Sequence, residues 1–556
     1  FKQIGARFRI DPVTARIIRN RGIEGEAAID RYLNGTLDDL YDPMLLKDME
    51  RAVSILCEAV DTGKKIRIVG DYDIDGVCST YILLQAFERL GSDVDFEIPD
   101  RIKDGYGINE SIIEQAHADG VEVILTCDNG ISAFHQVELA KKYGMTVVIT
   151  DHHEVPLDGE KEKIPPADAV IDPKQADCPY PFPEICGAVV AYKLVQVLYA
   201  RRGVPQMEWL DLLEFAAIAT VGDVMKLQDE NRILVKYGLK KMAQTKNLGL
   251  RRLAEKNNLD LGAITAYHIG FVIGPCLNAG GRLKTAKEAL ALLRAQSEEE
   301  AERLAEELKE LNDTRKDMTE QGTEAAKLQV ESWYQKDKVL VVFLPECHES
   351  LAGIIAGRLR EYYQKPAIVL TRGEEAVKGS GRSIDEYHMF KKLTEVSDLL
   401  LKFGGHPLAA GLSLEEKNID EFRRRLNENA GLTEEDFKAK VWIDVPMPVG
   451  YVTERLVREL SCLEPFGQGN EKPLFAEKSL RIRASRVLGR NRNVVKMTLE
   501  ETDGHAIEAL YFGDGTAFEE ERAGRREIDV VYYPDINEYN GRKTLQAVIR
   551  RYKFRG

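Results

Sequence analysis

The stretch that most constrains this chain is Ile66-Arg-Ile-Val-Gly-Asp-Tyr-Asp-Ile-Asp-Gly-Val77, where a short apolar run breaks into Asp71, Asp73 and Asp75. A run of four to eight β-branched residues closed by a turn signal predicts a buried strand of a parallel sheet. In an open α/β sheet, ligands collect beyond the carboxyl ends of such strands. Three carboxylates this close raise one another's pKa unless a cation neutralises them. Oxygen-rich clusters of this kind suit Mg²⁺ or Mn²⁺. Standing alone, the stretch reads better as a solvated acidic turn.

The pattern recurs, and recurrence changes the reading. Val121–Thr126 ends at Cys127-Asp-Asn-Gly130, and Met145–Thr150 ends at Asp151-His-His153. Helical spacing over 78–90, 109–118 and 132–142 separates the strands, so right-handed crossovers carry all three tips to one sheet edge. One aspartate after a strand can be a helix cap. Three such tips, one with adjacent histidines, favour a metal site. A further strand, 94–98, leads into a Gly-rich basic loop, 99–108, expected on the same edge and carrying Arg101 and Tyr106. Asp223 follows a nearly all-apolar helix, 210–220. A buried unpaired carboxylate needs a cation or strong hydrogen bonds, but a plain helix C-terminal loop is an equal reading.

Beyond this unit, Pro275-Cys-Leu-Asn-Ala-Gly-Gly-Arg282 offers small residues for close backbone approach and a guanidinium suited to phosphate, or simply a turn before a helix. Residues 297–333 read as one charged helix, a spacer between two lobes. A second α/β unit follows, with strands 338–344 and 367–371 around a helix, 353–360. Its loops Lys378-Gly-Ser-Gly-Arg-Ser383 and Phe403–Leu412, the latter holding Gly405 and His406, could cradle phosphate or be tight turns. From about residue 440, five strand-like runs in about 75 residues predict a small β-barrel, with an OB-fold leading. There Arg481, Arg483, Arg486, Arg490 and Arg492 accompany Tyr511, Phe512, Tyr532 and Tyr533. That mixture fits single-stranded nucleic acid, or equally a barrel core with a solvated basic edge.

Composition narrows the classes. A length of 556 residues allows roughly three or four domains. No segment approaches the ~20 apolar residues of a membrane span, and none reads as a signal peptide. Eight scattered cysteines without a CxxC pair argue against a zinc module or disulfide framework and fit a reducing cytoplasm. A net charge of −15 disfavours nonspecific coating of duplex DNA while leaving room for a narrow basic channel.

Together the motifs resemble the DHH phosphoesterase superfamily and, within it, the bacterial RecJ single-strand exonucleases. The motifs are Gly70-Asp-Tyr-Asp-Ile-Asp-Gly76, Asp128-Asn-Gly130, Asp151-His-His153, Gly222-Asp223, Leu277-Asn-Ala-Gly-Gly-Arg-Leu283, Gly379-Ser-Gly-Arg-Ser383, Gly404-Gly-His406 and Leu463-Glu-Pro-Phe-Gly-Gln-Gly-Asn470. The resemblance implies an α/β protein: an N-terminal segment (1–45), a parallel-sheet DHH catalytic domain (46–296), a connecting helix (297–333), a smaller α/β DHHA1 domain (334–435) and an OB-fold nucleic-acid-binding domain (436–556). It also implies that the chain from Phe1 to Gly556 is part of a longer protein with a further C-terminal domain.

The same resemblance implies two Mn²⁺ or Mg²⁺ ions per active site. Asp73 and Asp128 would hold one with Asp71 nearby; Asp75, Asp128, His152 and Asp223 would hold the other, with Asp128 as the bridge. Several relatives carry a histidine four residues before Asp73, where this chain has Val69, so the first ion would lean on Asp71 or water. Two cations about 4 Å apart promote in-line phosphoryl displacement, with Asp128 orienting the nucleophile and His153 on the leaving side. Arg282, Ser380 and Arg382 would hold a 5′ phosphate, with Asn278 and Gly405 also at the substrate. His406 would contact the scissile or adjacent phosphate, and Arg101 and Tyr106 would steer or stack the strand. The implied activity is 5′→3′ release of mononucleotides from single-stranded DNA in recombination and repair. The implied partners are a single-stranded-DNA-binding protein and a RecQ-type helicase. A DHH hydrolase of short oligonucleotides or cyclic dinucleotides is the nearer alternative; a non-catalytic replication scaffold of the Cdc45 type is the remoter one.

Overall fold

The structure, a computed structural model, describes residues 1–101, 105–539 and 541–555, and the backbone alone at 539 and 542. Part of the expected substrate loop, 102–104, and the first residue of the turn expected at 540–541 therefore lie outside the described residues. Strands Ile66–Val69 (β1), Val94–Glu97 (β2), Val123–Cys127 (β3), Thr146–Thr150 (β4) and Ala169–Ile171 (β5) form one all-parallel sheet in the order β2-β1-β3-β4-β5. β1 and β3 are wholly buried and β4 nearly so, as expected of strands with helices on both faces. On one face, helices Ile74–Arg89 and Gly187–Arg202 bury Val77, Ile82, Leu83, Val190 and Leu194 in the largest apolar cluster. On the other, Ile113, Val137 and Ala140 close over Val69, Ile124 and Ile149.

The Pro275–Arg282 segment is not a turn: it lies within helix Gly274–Leu283. Its small residues serve helix packing. A methyl at Gly281 would sit 2.4 Å from the Tyr72 carbonyl oxygen, so glycine lets this helix press against the loop of the first motif. Helix Glu298–Gln329, about 48 Å long at 1.5 Å per residue, is more than a spacer. Leu304, Ala305 and Leu308 enter the core of the first lobe, and Ala326 enters that of the second.

The second lobe is a mixed five-stranded sheet. Strands Leu340–Phe343 and Ala367–Arg372 are parallel, and Val377–Arg382, Ala409–Leu414 and Leu400–Gly405 add antiparallel. The expected loop 378–383 is therefore a central strand, and 403–412 is a hairpin with His406 at its turn. Repeated glycine marks a strand here because a methyl at Gly379 would meet Leu370 at 2.5 Å.

The C-terminal strands Phe475–Leu488, Val494–Glu500, Ala506–Phe512, Glu527–Tyr539 and Arg542–Arg555 close on themselves through pairing of the first with the fourth and a parallel pair between the third and fifth. Two of the expected base-stacking aromatics are engaged by the barrel itself, one in its interior and one, half-buried, against it. Tyr532 is fully buried and donates to the Met447 carbonyl at 3.0 Å, and Tyr511 packs edge-on against Tyr552. Arg483 is paired with Glu500. Phe512 alone of the four is strongly exposed, at 61%. Helices Pro12–Asn20 and Glu26–Asn34 contribute Ile17, Ile18, Ile29 and Tyr32 to the same apolar cluster as the barrel.

Candidate metal centre and phosphate cavity

The first motif is a strand-to-helix corner. Asp73 is the N-cap of helix Ile74–Arg89, accepting from the Asp75 and Gly76 amides at 2.9 and 3.1 Å, a role its short carboxylate suits. Gly76 is required there, because a methyl would lie 2.3 Å from the Asp71 carbonyl oxygen. Asp75 is fully buried and accepts from the Gly187 and Ala188 amides, both at 2.7 Å, at the start of the neighbouring helix Gly187–Arg202. Free helix N–H groups and the helix dipole favour a carboxylate there. Asp71 accepts from the Gly107 amide at 3.3 Å.

Asp128 follows β3 in the left-handed region (φ 61°) and faces His152. The His152 Nε2 atom lies 3.0 Å from Asp128, 3.4 Å from Asp75 and 3.8 Å from Asp223. The strand tips and the 223 corner therefore converge. Ligand atoms of Asp71, Asp73 and Asp128 come within 4.8 Å of one another, as do those of Asp75, His152 and Asp223, and those of Asp128, His152 and His153. Val69 has no share in this: its side chain is buried among Ile108, Ile113 and Ile124. Its carbonyl instead accepts from Asn129 Nδ2 at 3.0 Å, which ties β1 to the second motif.

Electrostatics favour a divalent cation in this cluster. Burial, then the adjacent Asp73 charge, pushes the Asp71 carboxyl up to about 8. Burial, then Asp75 and Asp73, does the same for Asp223, also to about 8. Asp73 and Asp128 are raised by burial and by the carboxylates around them. Burial holds the His152 imidazole below its ordinary range, which leaves a neutral nitrogen suited to ligation. Charges packed this closely are stable only when neutralised, and a carboxylate and imidazole donor set fits Mn²⁺ or Mg²⁺.

His153 behaves differently, and the reason was not visible in the sequence. Burial opposes its charge, but the Asp151 carboxylate 2.7 Å from Nδ1 outweighs that and raises it to about 9. Asp151, fully buried, also accepts from the Ile131 amide at 2.9 Å and the His152 amide at 2.8 Å, so it orients both histidines. Tyr106, its ring half in solvent, donates to the Asp128 carbonyl at 2.9 Å and lies 3.0 Å from His153 Nδ1.

A cavity of about 780 Å³ opens between the two lobes, and its walls include Arg101, Arg282, Ser380 and Arg382. Arg101 lies over the Tyr72 ring at 5.0 Å, and Arg282 donates to the Ser350 carbonyl at 3.0 Å, bridging the lobes. Burial, then Arg101 and Arg315, lowers Arg282 to about 10, and burial followed by Arg360 and Arg101 lowers Arg382. Buried guanidiniums that repel one another prepare a place for an anion. A methyl at Gly353 would lie 2.8 Å from Arg382 Nη2, so that glycine leaves room for the guanidinium. Four expected substrate residues stand outside the cavity walls: Tyr106, beside His153, and three others. Asn278 is half-buried one turn before Arg282 on the same helix, and Gly405 and His406 lie at the exposed hairpin turn. Beside the histidine pair, Glu154 is paired with Lys174 at 2.8 Å, which holds its carboxyl below the ordinary range.

Comparison with known proteins matches the DHH family N-terminal domain to residues 65–220, the DHHA1 domain to 336–431 and the RecJ OB domain to 443–551. The single-stranded-DNA-specific exonuclease RecJ of Bacillus subtilis is 36% identical over 99% of this chain and 69% of its own. That of Escherichia coli is 34% identical over 97% of this chain and 95% of its own. The crystal structure of RecJ in complex with Mn²⁺ from Thermus thermophilus superposes with a TM-score of 0.85 at 29% identity, covering all of this chain and 78% of that one.

Proposed function

The chain belongs to the RecJ family of single-stranded-DNA-specific exonucleases, and on that premise we propose that it degrades single-stranded DNA from the 5′ end to mononucleotides, in recombination and repair. One observation carries the reading: the Asp128-centred carboxylate–histidine cluster and the arginine-walled cavity meet at a single corner of the chain. Asp71 and Asp73 of that corner face Asp128, and Tyr72 between them lies under Arg101 of the cavity wall.

Two Mn²⁺ or Mg²⁺ ions, when bound, would supply an activated water and offset the charge that develops in in-line displacement at phosphorus. Asp71, Asp73 and Asp128 would hold one ion, and Asp75, Asp128, His152 and Asp223 the other. His153, oriented by Asp151, would carry its proton toward the leaving oxygen. Arg101, Arg282, Ser380 and Arg382 would hold the terminal phosphate, which sets how far the strand enters before the scissile bond meets the carboxylates. Asn278, Gly405 and His406 would contact the next phosphates, and Tyr106 the base stack. The domain limits expected from the sequence (46–296, 334–435 and 436–556) serve this reading, with the barrel holding the incoming strand. No helix among the described residues is long and apolar enough to cross a membrane. A reducing cytoplasm suits the free cysteines, and a single-stranded-DNA-binding protein and a RecQ-type helicase would deliver the substrate.

End-labelled oligonucleotides test the polarity. With Mn²⁺, a 5′ label is expected to leave as mononucleotide at once while a 3′ label stays in long products; early release of the 3′ label would overturn the polarity. A cyclic dinucleotide in the same assay should remain intact.

The phosphate cavity makes a separate prediction. Arg382→Met should raise KM for a 5′-phosphorylated strand about tenfold to a hundredfold, since a hydrogen bond to a charged group contributes ~1.5–3 kcal/mol. A strand with a 5′ hydroxyl should change little. Equal losses on both substrates would remove the phosphate from this cavity.

A further inference from the structure

Asp223 is the C-cap of helix Leu213–Gly222, and the loop that follows it is held in part by the segment leading into the barrel. The Asp223 amide donates to the Ala219 carbonyl at 2.8 Å, and the next residue, Val224, lies in the left-handed region at φ 57°. The helix's own end closes that turn, with the Val224 amide donating to the Val221 carbonyl at 3.2 Å and the Met225 amide to the Thr220 carbonyl at 3.0 Å, so the outside hold falls on the loop beyond it. Two contacts come from the segment that leads into the barrel. The Leu227 amide donates to the Gln468 carbonyl at 2.7 Å, and Gln228 Nε2 donates to the Gly469 carbonyl at 2.9 Å. Leu227 is buried against Gly467, where a methyl would come within 2.6 Å of its Cδ1.

That segment is itself pinned. Arg232, fully buried, spends its guanidinium on three carbonyls: Tyr32 at 3.0 Å, Leu463 at 2.8 Å and Cys462 at 2.8 Å. Asn470 Nδ2 donates to the Leu463 and Pro465 carbonyls at 2.8 and 2.7 Å, and the Tyr32 hydroxyl donates to Asn470 Oδ1 at 2.8 Å. The N-terminal helices, the first lobe and the barrel lead-in thus meet at one point, a few residues along the chain from a carboxylate of the metal cluster.

We infer that the 467–469 turn is a positioning element for Asp223, so that docking of the barrel lead-in sets the affinity of the site that Asp223 shares with Asp75 and His152 for a divalent cation. The inference rests on the proposed role of Asp223 as a ligand. Gly467 and Gln228 touch neither substrate nor metal; they act through the 224–228 loop.

Calorimetric titration of the full chain with Mn²⁺ tests this without reference to activity. Gly467→Ala is expected to weaken Mn²⁺ binding about tenfold at one site and leave the other unchanged. Gln228→Ala, which removes one hydrogen bond and adds no bulk, should weaken the same site about threefold. On a dinucleotide, both should lower kcat more than they raise KM. If both variants melt at lower temperature in chelator yet bind Mn²⁺ as the parent does, the contact is only structural and the inference fails. Asp223→Ala separates the two levels: an unchanged Mn²⁺ isotherm there would remove the ligand assignment itself, whereas a weakened isotherm beside unaffected Gly467→Ala and Gln228→Ala would overturn only the positioning role.

Discussion

Asp128→Ala is expected to slow nucleotide release from a single-stranded oligonucleotide at least about a thousandfold, which corresponds to ~4 kcal/mol of transition-state stabilisation. Asp128 belongs to two of the three ligand clusters, with Asp71 and Asp73 in one and His152 and His153 in another, and is the shared carboxylate as His152 is the shared imidazole. Burial, then the charges of Asp75, Asp73, Asp71 and Asp223 around it, raises the pKa of Asp128. Removing it therefore relieves repulsion in the metal-free protein. In chelator the variant should melt no lower than the parent, while the stabilisation that Mn²⁺ confers on the parent should shrink. Loss of activity without loss of metal-free stability separates a chemical role from a structural one. A variant that retains near-parental rate would end the assignment of Asp128 as the shared ligand.

The second large effect is a pH dependence that the metal should erase. Asp71 and Asp223 titrate near 3.8 when unfolded and near 8 in the folded, metal-free chain. Between those values the folded state binds more protons than the unfolded one, so stability falls as pH rises. The loss begins above about 4 and is complete above about 8. Melting in chelator at about pH 6 and about pH 8, where ordinary carboxylates are already ionised, should show a lower transition at the higher pH. Saturating Mn²⁺ should flatten the difference, because the ion takes the place of the protons. A transition in chelator that is flat or rises over this interval would mean that the cluster is neutralised by some other means.

Much of the first lobe is readable in the sequence because its signals are local. Each strand is a β-branched run that stops at a polar tip, and each helix follows within a few residues, so the tips of β1, β3 and β4 have to share an edge. That pattern puts Asp71, Asp73, Asp75, Asp128 and the Asp151-His-His153 tip on one edge, whereas choosing His152 among them rested on the family resemblance. The glycine-rich segments were harder to read because a missing Cβ serves several purposes. At Gly281 it admits a carbonyl of the first motif, at Gly379 it accommodates Leu370 across the sheet, and at Gly353 it leaves space for Arg382. Sequence spacing does not distinguish these from a phosphate loop. The basic and aromatic residues of the barrel divided similarly: Tyr532 went to the core and Arg483 to Glu500, and neither choice has a periodic signature.

By itself the sequence determined the strand tips, the ligand types and the order of the lobes, because these depend on residues near one another in the chain. The tertiary structure decided which backbone amides hold Asp75, which carboxylate charges His153, and which arginines share one cavity. Those pairings join segments far apart, such as Asp75 with Gly187 and Leu227 with Gln468. Their partners are set by the packing of whole helices and sheets, and burial, which exists only once the chain has folded, gives the resulting charges their strength.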